Sequence, residues 1–333
     1  MSTEISFEQA LTALLDSAKP VPAHYLHRFS DLTPTEALAL NNNWEKISPD
    51  RVFGWLEDLE ELADSDSVLS FFEVGRLALT DAQARVRELG IRLLWEDEAE
   101  NLIPELLRLL TTDPDVAVQA AAASLLGRFI FLGEMEEIPA HKQADIETAL
   151  ITRFDSRFPL ILRRRVIEAL GYSSNPAVPE LIKAAYSEKE TAMRAAALFA
   201  MGRSANEDWQ MTVLDNMDSP HPEMRLEAVR AAGELELADA REPLLDLLDD
   251  ENLDDELLVA VAWSLSQIGG EQVQEKLSEL AENPDIDEDT LDLLEAAIEN
   301  LSFTGSMGNF SFMDLESEPS LTGADLDDEP DDE

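Results

Sequence analysis

"MRAAALFAMG" occupies residues 193–202. Met193, Ala197, Ala200 and Met201 stand at i, i+4, i+7 and i+8, the apolar stripe of a 3.6-residue period. The spacing predicts a helix that buries one face. The pattern returns six more times: "VRELGIRLLW" from Val86, "VQAAAASLLG" from Val118, "LRRRVIEALG" from Leu162, "MRLEAVRAAG" from Met224, "LLVAVAWSLS" from Leu257 and "LDLLEAAIEN" from Leu291. Successive starts lie 32, 44, 31, 31, 33 and 34 residues apart. The 44-residue interval reads as one unit carrying an insertion of about a dozen residues; the others fit a two-helix unit.

A second apolar helix alternates with these segments, as in "LIPELLRLLTTDPD", "AVPELIKAAYSEKE", "WQMTVLDNMDSPHPE", "REPLLDLLDDENLDDE" and "VQEKLSELAENPDIDED". Asp-Pro, Ser-Pro and Asn-Pro mark the turns. Asp and Ser cap helix N-termini, and proline is tolerated in a first turn. One such pair cannot bury its own apolar face, so stacked neighbours must build a shared core.

These residues resemble the HEAT repeat, and more closely the short HEAT-like repeat first recognised in phycobilisome lyases. The family pattern is a Pro-Leu-Leu helix, an Asp turn, then Val-Arg and an Ala-Leu-Gly ending; "VPELI…MRAAALFAMG" and "REPLLDLL" follow it. The whole-chain layout is similar to that of bacterial HEAT-repeat proteins. The resemblance implies an all-α class, an α-solenoid or superhelix of stacked antiparallel helix pairs, with a long concave face. It implies no particular reaction, because HEAT arrays serve unrelated tasks.

The expected organisation has three parts. Residues 1–80 form a helical N-terminal cap that covers the first repeat. There "TPTE" at Thr33–Glu36 is a capping box with proline at the first helical position, and "SPDR" at Ser48–Arg51 opens another helix. Trp44, Phe53, Trp55, Phe71 and Phe72 are expected in its core. Residues 81–301 form the solenoid. Residues 302–333 lack any period and mix acids with glycine and proline, so they are expected to be a disordered acidic tail. Two readings of the tail stay open. It is a solubilising segment whose aromatics cover the last repeat, or its Phe310 and Phe312, near Met313 and Leu315, form a short linear motif for a groove with a basic rim.

The chain of 333 residues has 71 acidic and 24 basic side chains, a formal net charge of -47. From Glu242 to Glu333 there are 29 acids and one basic residue, Lys276. Such a surface repels nucleic acid and anionic membranes. It serves solubility, or it selects a basic partner. With no cysteine, disulfides, thiolate metal sites and cysteine nucleophiles are excluded. No apolar run approaches the roughly 20 residues of a membrane span, and the N-terminus does not resemble a signal peptide. A soluble, cytoplasmic protein is expected.

The search for chemistry yields little. His24 and His27 share a spacing but no third ligand, and His141 and His221 sit in polar surroundings, so no metal site is expected. The His-Glu dipeptide of HEAT-fold hydroxylases is absent. "DIDEDT" at Asp285–Thr290 lacks the Gly and Glu of a calcium loop, and is better read as an acidic helix start. No phosphate loop, nucleophile elbow or zincin motif occurs. No catalytic residue and no cofactor are assigned.

Arginine recurs at the second position of four segments: Arg87, Arg163, Arg194 and Arg225. The family resemblance implies that this arginine reaches the acidic turn of its own or a neighbouring repeat, giving a structural ladder. The local acids are Asp81, Asp155, Glu188, Glu190 and Asp218. In "LRRRVIEALG" the helical wheel spreads the triplet: Arg163 at the core edge, Arg164 pointing away, Arg165 on the opposite flank. Arg165, with Arg153 and Arg157, remains a candidate basic contact for a partner.

The leading functional expectation is a non-enzymatic protein-interaction scaffold that binds a protein with a basic surface on its concave face. Two alternatives stand beside it: an enzyme or enzyme subunit of the bilin lyase/isomerase type, and an acidic tail that mimics nucleic acid toward a basic protein. HEAT-like DNA glycosylases need a basic concave face, so nucleic-acid binding is not expected.

Overall fold

Every aligned segment becomes the second helix of a pair. The computed structural model describes residues 5–249, 253–270, 272–283, 286–287 and 290–301. These form α1 (Phe7–Leu15), α2 (Pro34–Asn41), α3 (Pro49–Ser65), α4 (Phe72–Ala78), α5 (Ala84–Arg92), α6 (Ile103–Thr112), α7 (Val116–Glu134), α8 (Ala140–Arg153), α9 (Leu160–Leu170), α10 (Val178–Tyr186), α11 (Thr191–Arg203), α12 (Gln210–Leu214), α13 (Pro222–Glu234), α14 (Arg241–Leu247), α15 (Asp255–Ile268) and α16 (Val273–Ala281). Residues 290–301 are also helical. The fold is an all-α solenoid of stacked helix pairs. Its contacts divide it into two compact units that meet at Ala231 and Ala232, within α13.

In the first unit the second helices stack directly: α5 on α7, α7 on α9, and α9 on α11. The stripe of "MRAAALFAMG" is buried as its period requires, with Met193, Ala197, Ala200 and Met201 at most 1% exposed. The glycines that close several segments serve this stacking. A Cβ on Gly127 would lie 2.8 Å from the Ala169 Cα, and one on Gly171 would lie 2.8 Å from the Ala200 Cα. Gly171 ends α9 with φ -53, an ordinary right-handed value. Close helix approach, and not a left-handed cap, is therefore what requires glycine there.

The excess length between Val118 and Leu162 is not a loop insertion. It lengthens helices: α7 has 19 residues and α8 has 14. The helix α7 also overturns the expectation that no apolar run nears membrane length, because it has mean hydropathy 1.6 over such a span. Its alanine-rich surface is enclosed by α5, α6, α8 and α9, and ten of its residues are buried. The buried Glu147 of α8 is satisfied by donors from beyond α9, Ser173 Oγ at 2.6 Å and Asn175 Nδ2 at 2.9 Å. That agrees with the rule that buried polar groups are hydrogen-bonded.

The N-terminal segment packs as an aromatic core. Phe7 and Phe29 meet edge-on at 6.0 Å, and Phe29 meets Trp55 at 4.8 Å. Trp55 and Phe71 are fully buried. Trp44, Phe53 and Phe72 are half-buried; Trp44 Nε1 donates to Asp81 at 2.8 Å, and Arg85 lies over the Phe53 ring. Thr33 and Glu36 form the capping box of α2, with Pro34 at its start. Arg51 donates to the carbonyls of Leu14 and Ala13 at 2.6 and 2.7 Å. A cation thereby satisfies the orphan carbonyls at the end of α1.

The second unit stacks α14 on α15 and α15 on α16. Leu244, Val261, Leu265, Leu277 and Leu294 form its core. Asp254 caps α15 by accepting from the Leu257 amide at 2.9 Å. Within the "DIDEDT" stretch, Asp287 accepts from the Thr290 amide at 2.9 Å, the geometry of a helix start.

Candidate functional site

The second-position arginines come first, because they fix what surrounds the site. Arg87 and Asp113 form a buried bidentate pair, Nε–Oδ2 at 2.8 Å and Nη2–Oδ1 at 2.7 Å. Arg87 Nη1 also donates to the carbonyls of Asp81 and Ala82. The pair ties α5 to the turn before α7. Burial pushes the Asp113 carboxyl up, but hydrogen bonds from Arg87 and the Asp115 amide, with the Arg87 and Arg108 charges, outweigh it and hold the group below its usual range. Arg163 repeats the arrangement two pairs later, donating to both oxygens of Glu188.

The other two arginines differ. Arg194 stacks over the Tyr186 ring at 5.2 Å, and Arg225 keeps a buried Nε without a partner. Neither forms an ion pair among the described residues. Two positions are thus ion-pair rungs joining successive pairs, while the third leans on an aromatic face. Asp155 pairs with Arg157 on the surface.

The remaining members of the arginine triplet fall elsewhere. Arg164 is half-buried, with its Nε enclosed and without a hydrogen-bond partner among the described residues. Arg165 is exposed and donates to Glu168 at 2.6 Å. The structure does not join it to Arg153 and Arg157. Arg153 donates to the Thr111 carbonyl at 2.8 Å and stacks on Phe158, and Arg157 pairs with Asp155 at 2.9 Å.

Arg165 instead opens onto a cleft on the second-helix face of the first unit. The cleft holds about 360 Å³ and is lined by Trp95, Arg128 and Phe131 from one side, Arg165, Glu168 and Tyr172 from the middle, and Phe199 and Arg203 from the other. Its volume lies within the roughly 300–1,000 Å³ of ordinary ligand sites. Phe131 and Tyr172 meet edge-on at 5.6 Å. Arg203 lies over both Tyr172 and Phe199, at 5.3 and 5.2 Å. Trp95 is 48% exposed and Phe131 45%. Large aromatics left in water at one place mark an interaction surface. Ile161, also exposed, continues the Arg165 row one turn earlier on α9.

The arginines are balanced, not bare. Arg128 donates to Glu96 at 2.9 Å and Glu98 at 2.7 Å, both more than half exposed, and its Nε has no partner. In a chain of net charge -47, three arginines and three carboxylates, Glu96, Glu98 and Glu168, around four aromatics make a locally balanced place.

The cleft is legible as a pattern once the first residue of each segment is counted as position 1. Ser124, Glu168 and Phe199 then hold position 7, and Arg128, Tyr172 and Arg203 hold position 11. Arg165 is at position 4 and Phe131 at position 14. These share one flank of the helix, turned away from the stripe at positions 1, 5 and 8. Large side chains at 7 and 11 were the available signal, and attention to the second-position arginines passed over it.

The histidines give no site. His24 and His27 are exposed in the turn Ala23–Phe29, and His24 packs edge-on against Tyr25. His141 and His221 are exposed. Among the described residues no three His, Asp or Glu side chains cluster as metal ligands would. Phe310, Phe312 and the whole of 302–333 lie outside the described residues.

Comparison with known proteins supports the architecture. HEAT repeats match residues 210–302, and a HEAT repeat matches residues 102–132. Among solved structures, the complex of CpcE and CpcF of phycocyanin lyase from Nostoc is similar at 16% identity and a TM-score of 0.52, covering 81% of this chain and 95% of that one. YibA of E. coli is similar at 17% identity and a TM-score of 0.39, covering 82% and 98%. At these identities the likeness concerns the fold alone. No curated protein matches the chain. The two family matches make residues 102–132 and 210–302 HEAT repeats within a fold of stacked helix pairs.

Proposed function

We propose that the chain is a non-enzymatic, cytoplasmic scaffold that binds a segment of a partner protein in the cleft between α7, α9 and α11. The observation that carries this reading is the exposure of Trp95 and Phe131 beside Arg165 and Arg128 on one face. Aromatic and arginine side chains are enriched among the residues that dominate the energetics of protein interfaces. HEAT repeats typically mediate protein binding, and the Nostoc neighbour is itself a complex of two chains.

The partner carries a basic surface. Glu242 and Asp246 of α14, Asp249 just beyond it, and Glu275 and Glu279 of α16 surround Lys276, so the second unit attracts positive charge at long range. Steering of this kind raises association rates and weakens with salt.

The test is affinity capture with the full chain, beside Phe131→Ala and Trp95→Ala variants. The expected result is a retained protein whose recovery falls at least about tenfold in either variant, a loss of about 1.4 kcal/mol. Recovery that is indifferent to both substitutions overturns the assignment of the cleft.

A further inference from the structure

The chemistry on the Trp95 side of the cleft selects one kind of side chain from a partner. We infer that the cleft takes an arginine, its guanidinium stacked on the Trp95 ring and donating to the carboxylates of Glu96 and Glu98. This rests on the reading of the cleft as a binding surface, and adds the group it recognises.

Charge is the first argument, because the balance in the cleft is uneven. Arg165 and Glu168 answer each other within α9 at 2.6 Å. Arg203 belongs to the opposite side, over the rings of Tyr172 and Phe199. On the Trp95 side two carboxylates face one guanidinium, and Glu96 Oε2 and Glu98 Oε1 both accept from the same nitrogen, Nη2 of Arg128. An ionised carboxylate offers about four acceptor sites, so most of the capacity of this pair is left over. Glu96 and Glu98 are 67% and 51% exposed, so a donor from solvent reaches them directly, and pairs so exposed are exchanged at little cost. The chain's net charge of -47 brings cations to such a surface and keeps anions from it.

The rings are the second argument. Trp95 and Phe131 are the rings of the cleft most open to solvent. Among the described residues no cation lies over either, whereas Arg203 already covers Tyr172 and Phe199. Indole is the ring that attracts a cation best.

The two features together distinguish arginine from lysine. A guanidinium is planar and weakly hydrated, so it stacks by its face while donating from its edge. An ammonium is a compact, strongly hydrated charge without a face to stack. Phe131 is placed to cover the aliphatic stem, which long cationic side chains lay along apolar surface.

The probes are acetyl-Gly-Arg-Gly-amide and its Lys and Glu counterparts, at matched ionic strength. The readout is the Trp95 indole N–H resonance of the isotope-labelled full chain, assigned by its loss in Trp95→Phe. Three proteins are compared: the wild type, Glu96→Gln/Glu98→Gln, and Glu57→Gln/Glu61→Gln. The last removes two charges from exposed positions of α3 that do not line the cleft. All four substituted positions are exposed, so the fold is retained; thermal unfolding checks this. The expected result is a saturable shift with the arginine peptide, at least about fivefold weaker affinity for the lysine peptide, and no shift with the glutamate peptide. Glu96→Gln/Glu98→Gln weakens arginine binding at least about fivefold, and the α3 variant leaves it unchanged. Lysine bound as tightly as arginine, glutamate bound in preference to either, equal losses in the two double variants, or no saturable shift with any peptide overturns the proposal. The two readings fail separately. An arginine peptide that does not bind, with partner capture still lost in Trp95→Ala and Phe131→Ala, removes arginine as the recognised group and leaves the scaffold. A peptide that binds as expected, with capture indifferent to both substitutions, does the reverse.

Discussion

Replacing Arg87 by methionine removes one half of a buried ion pair and leaves the other in place. The Arg87 and Asp113 side chains are 10% and 3% exposed. Without the guanidinium, the Asp113 carboxylate loses two donors, and the carbonyls of Asp81 and Ala82 lose another. Breaking a buried pair from one side costs about 3–5 kcal/mol, against roughly 0–1 for an exposed pair. The expected loss for Arg87→Met is therefore about 3–5 kcal/mol. Adding Asp113→Leu should restore most of it, since an apolar pair of similar volume replaces a buried ion pair at little cost. About 1 kcal/mol stays lost, because the Asp115 amide also donates to Asp113. Repeat arrays need not unfold in one step. Urea unfolding by circular dichroism is thus paired with amide hydrogen exchange over α5 and α7. Acidification supplies an independent sign. The Asp113 carboxyl is held below its usual range, so the stability it contributes is complete above the usual carboxylate range and is lost as pH falls through the folded value. In Arg87→Met the same carboxyl is buried without its cation and prefers the proton. The gap between the two proteins must narrow on acidification. A single-variant loss under about 1 kcal/mol, a double variant no better than the single, or a gap that widens in acid refutes the account.

Further outcomes follow from the packing and the caps. Gly127→Ala should destabilise by about 1–3 kcal/mol, since the new methyl lies 2.8 Å from the Ala169 Cα and nothing there yields but backbone. Gly54→Ala, in the interior of α3 with nothing within 4 Å of the added carbon, should instead stabilise by roughly 0.5–1 kcal/mol; thermal unfolding of both checks the pair of opposite signs. Thr33→Ala should cost about 1 kcal/mol by opening the α2 capping box, read as faster amide exchange at Glu36 and its neighbours.

The sequence disclosed the fold because burial sets a period. Met193, Ala197, Ala200 and Met201 had to be apolar for a helix to lie between two others, and that demand recurs at every pair. It disclosed the cap at Thr33 for a similar reason, since two side chains and one proline suffice to define it. Helix length was not disclosed. An extra dozen residues looks like an insertion from spacing alone, and only the enclosure of α7 and α8 by their neighbours shows it as added turns. The fate of each arginine was hidden as well. Arg87, Arg163, Arg194 and Arg225 share a position, but what each meets is set by the next turn in space, an Asp for one, a Glu for another and a tyrosine ring on the previous helix for a third. The cleft was hidden because its residues come from three helices and obey no single local rule.

That division has a physical basis. A stacked second helix has neighbours on two sides and a first helix behind it, so positions 1, 5 and 8 are fixed by burial and position 2 by the adjoining turn. One flank, with positions 4, 7, 11 and 14, is released from both demands. Polar residues there cost nothing in packing, and a solubility requirement alone would fill it with acids, as in the rest of this chain. Ser124, Arg128, Phe131, Arg165, Tyr172, Phe199 and Arg203 do not meet that expectation. Exposed rings lose hydrophobic free energy relative to burial, of order 25 cal/mol per Å² of apolar surface left in water. Nothing in the stacking of α7, α9 and α11 recovers it. A surface that is costly for the isolated fold, confined to the flank that stability leaves free, is what a binding site on this architecture requires, and substitutions there should alter binding while leaving the unfolding transition in place.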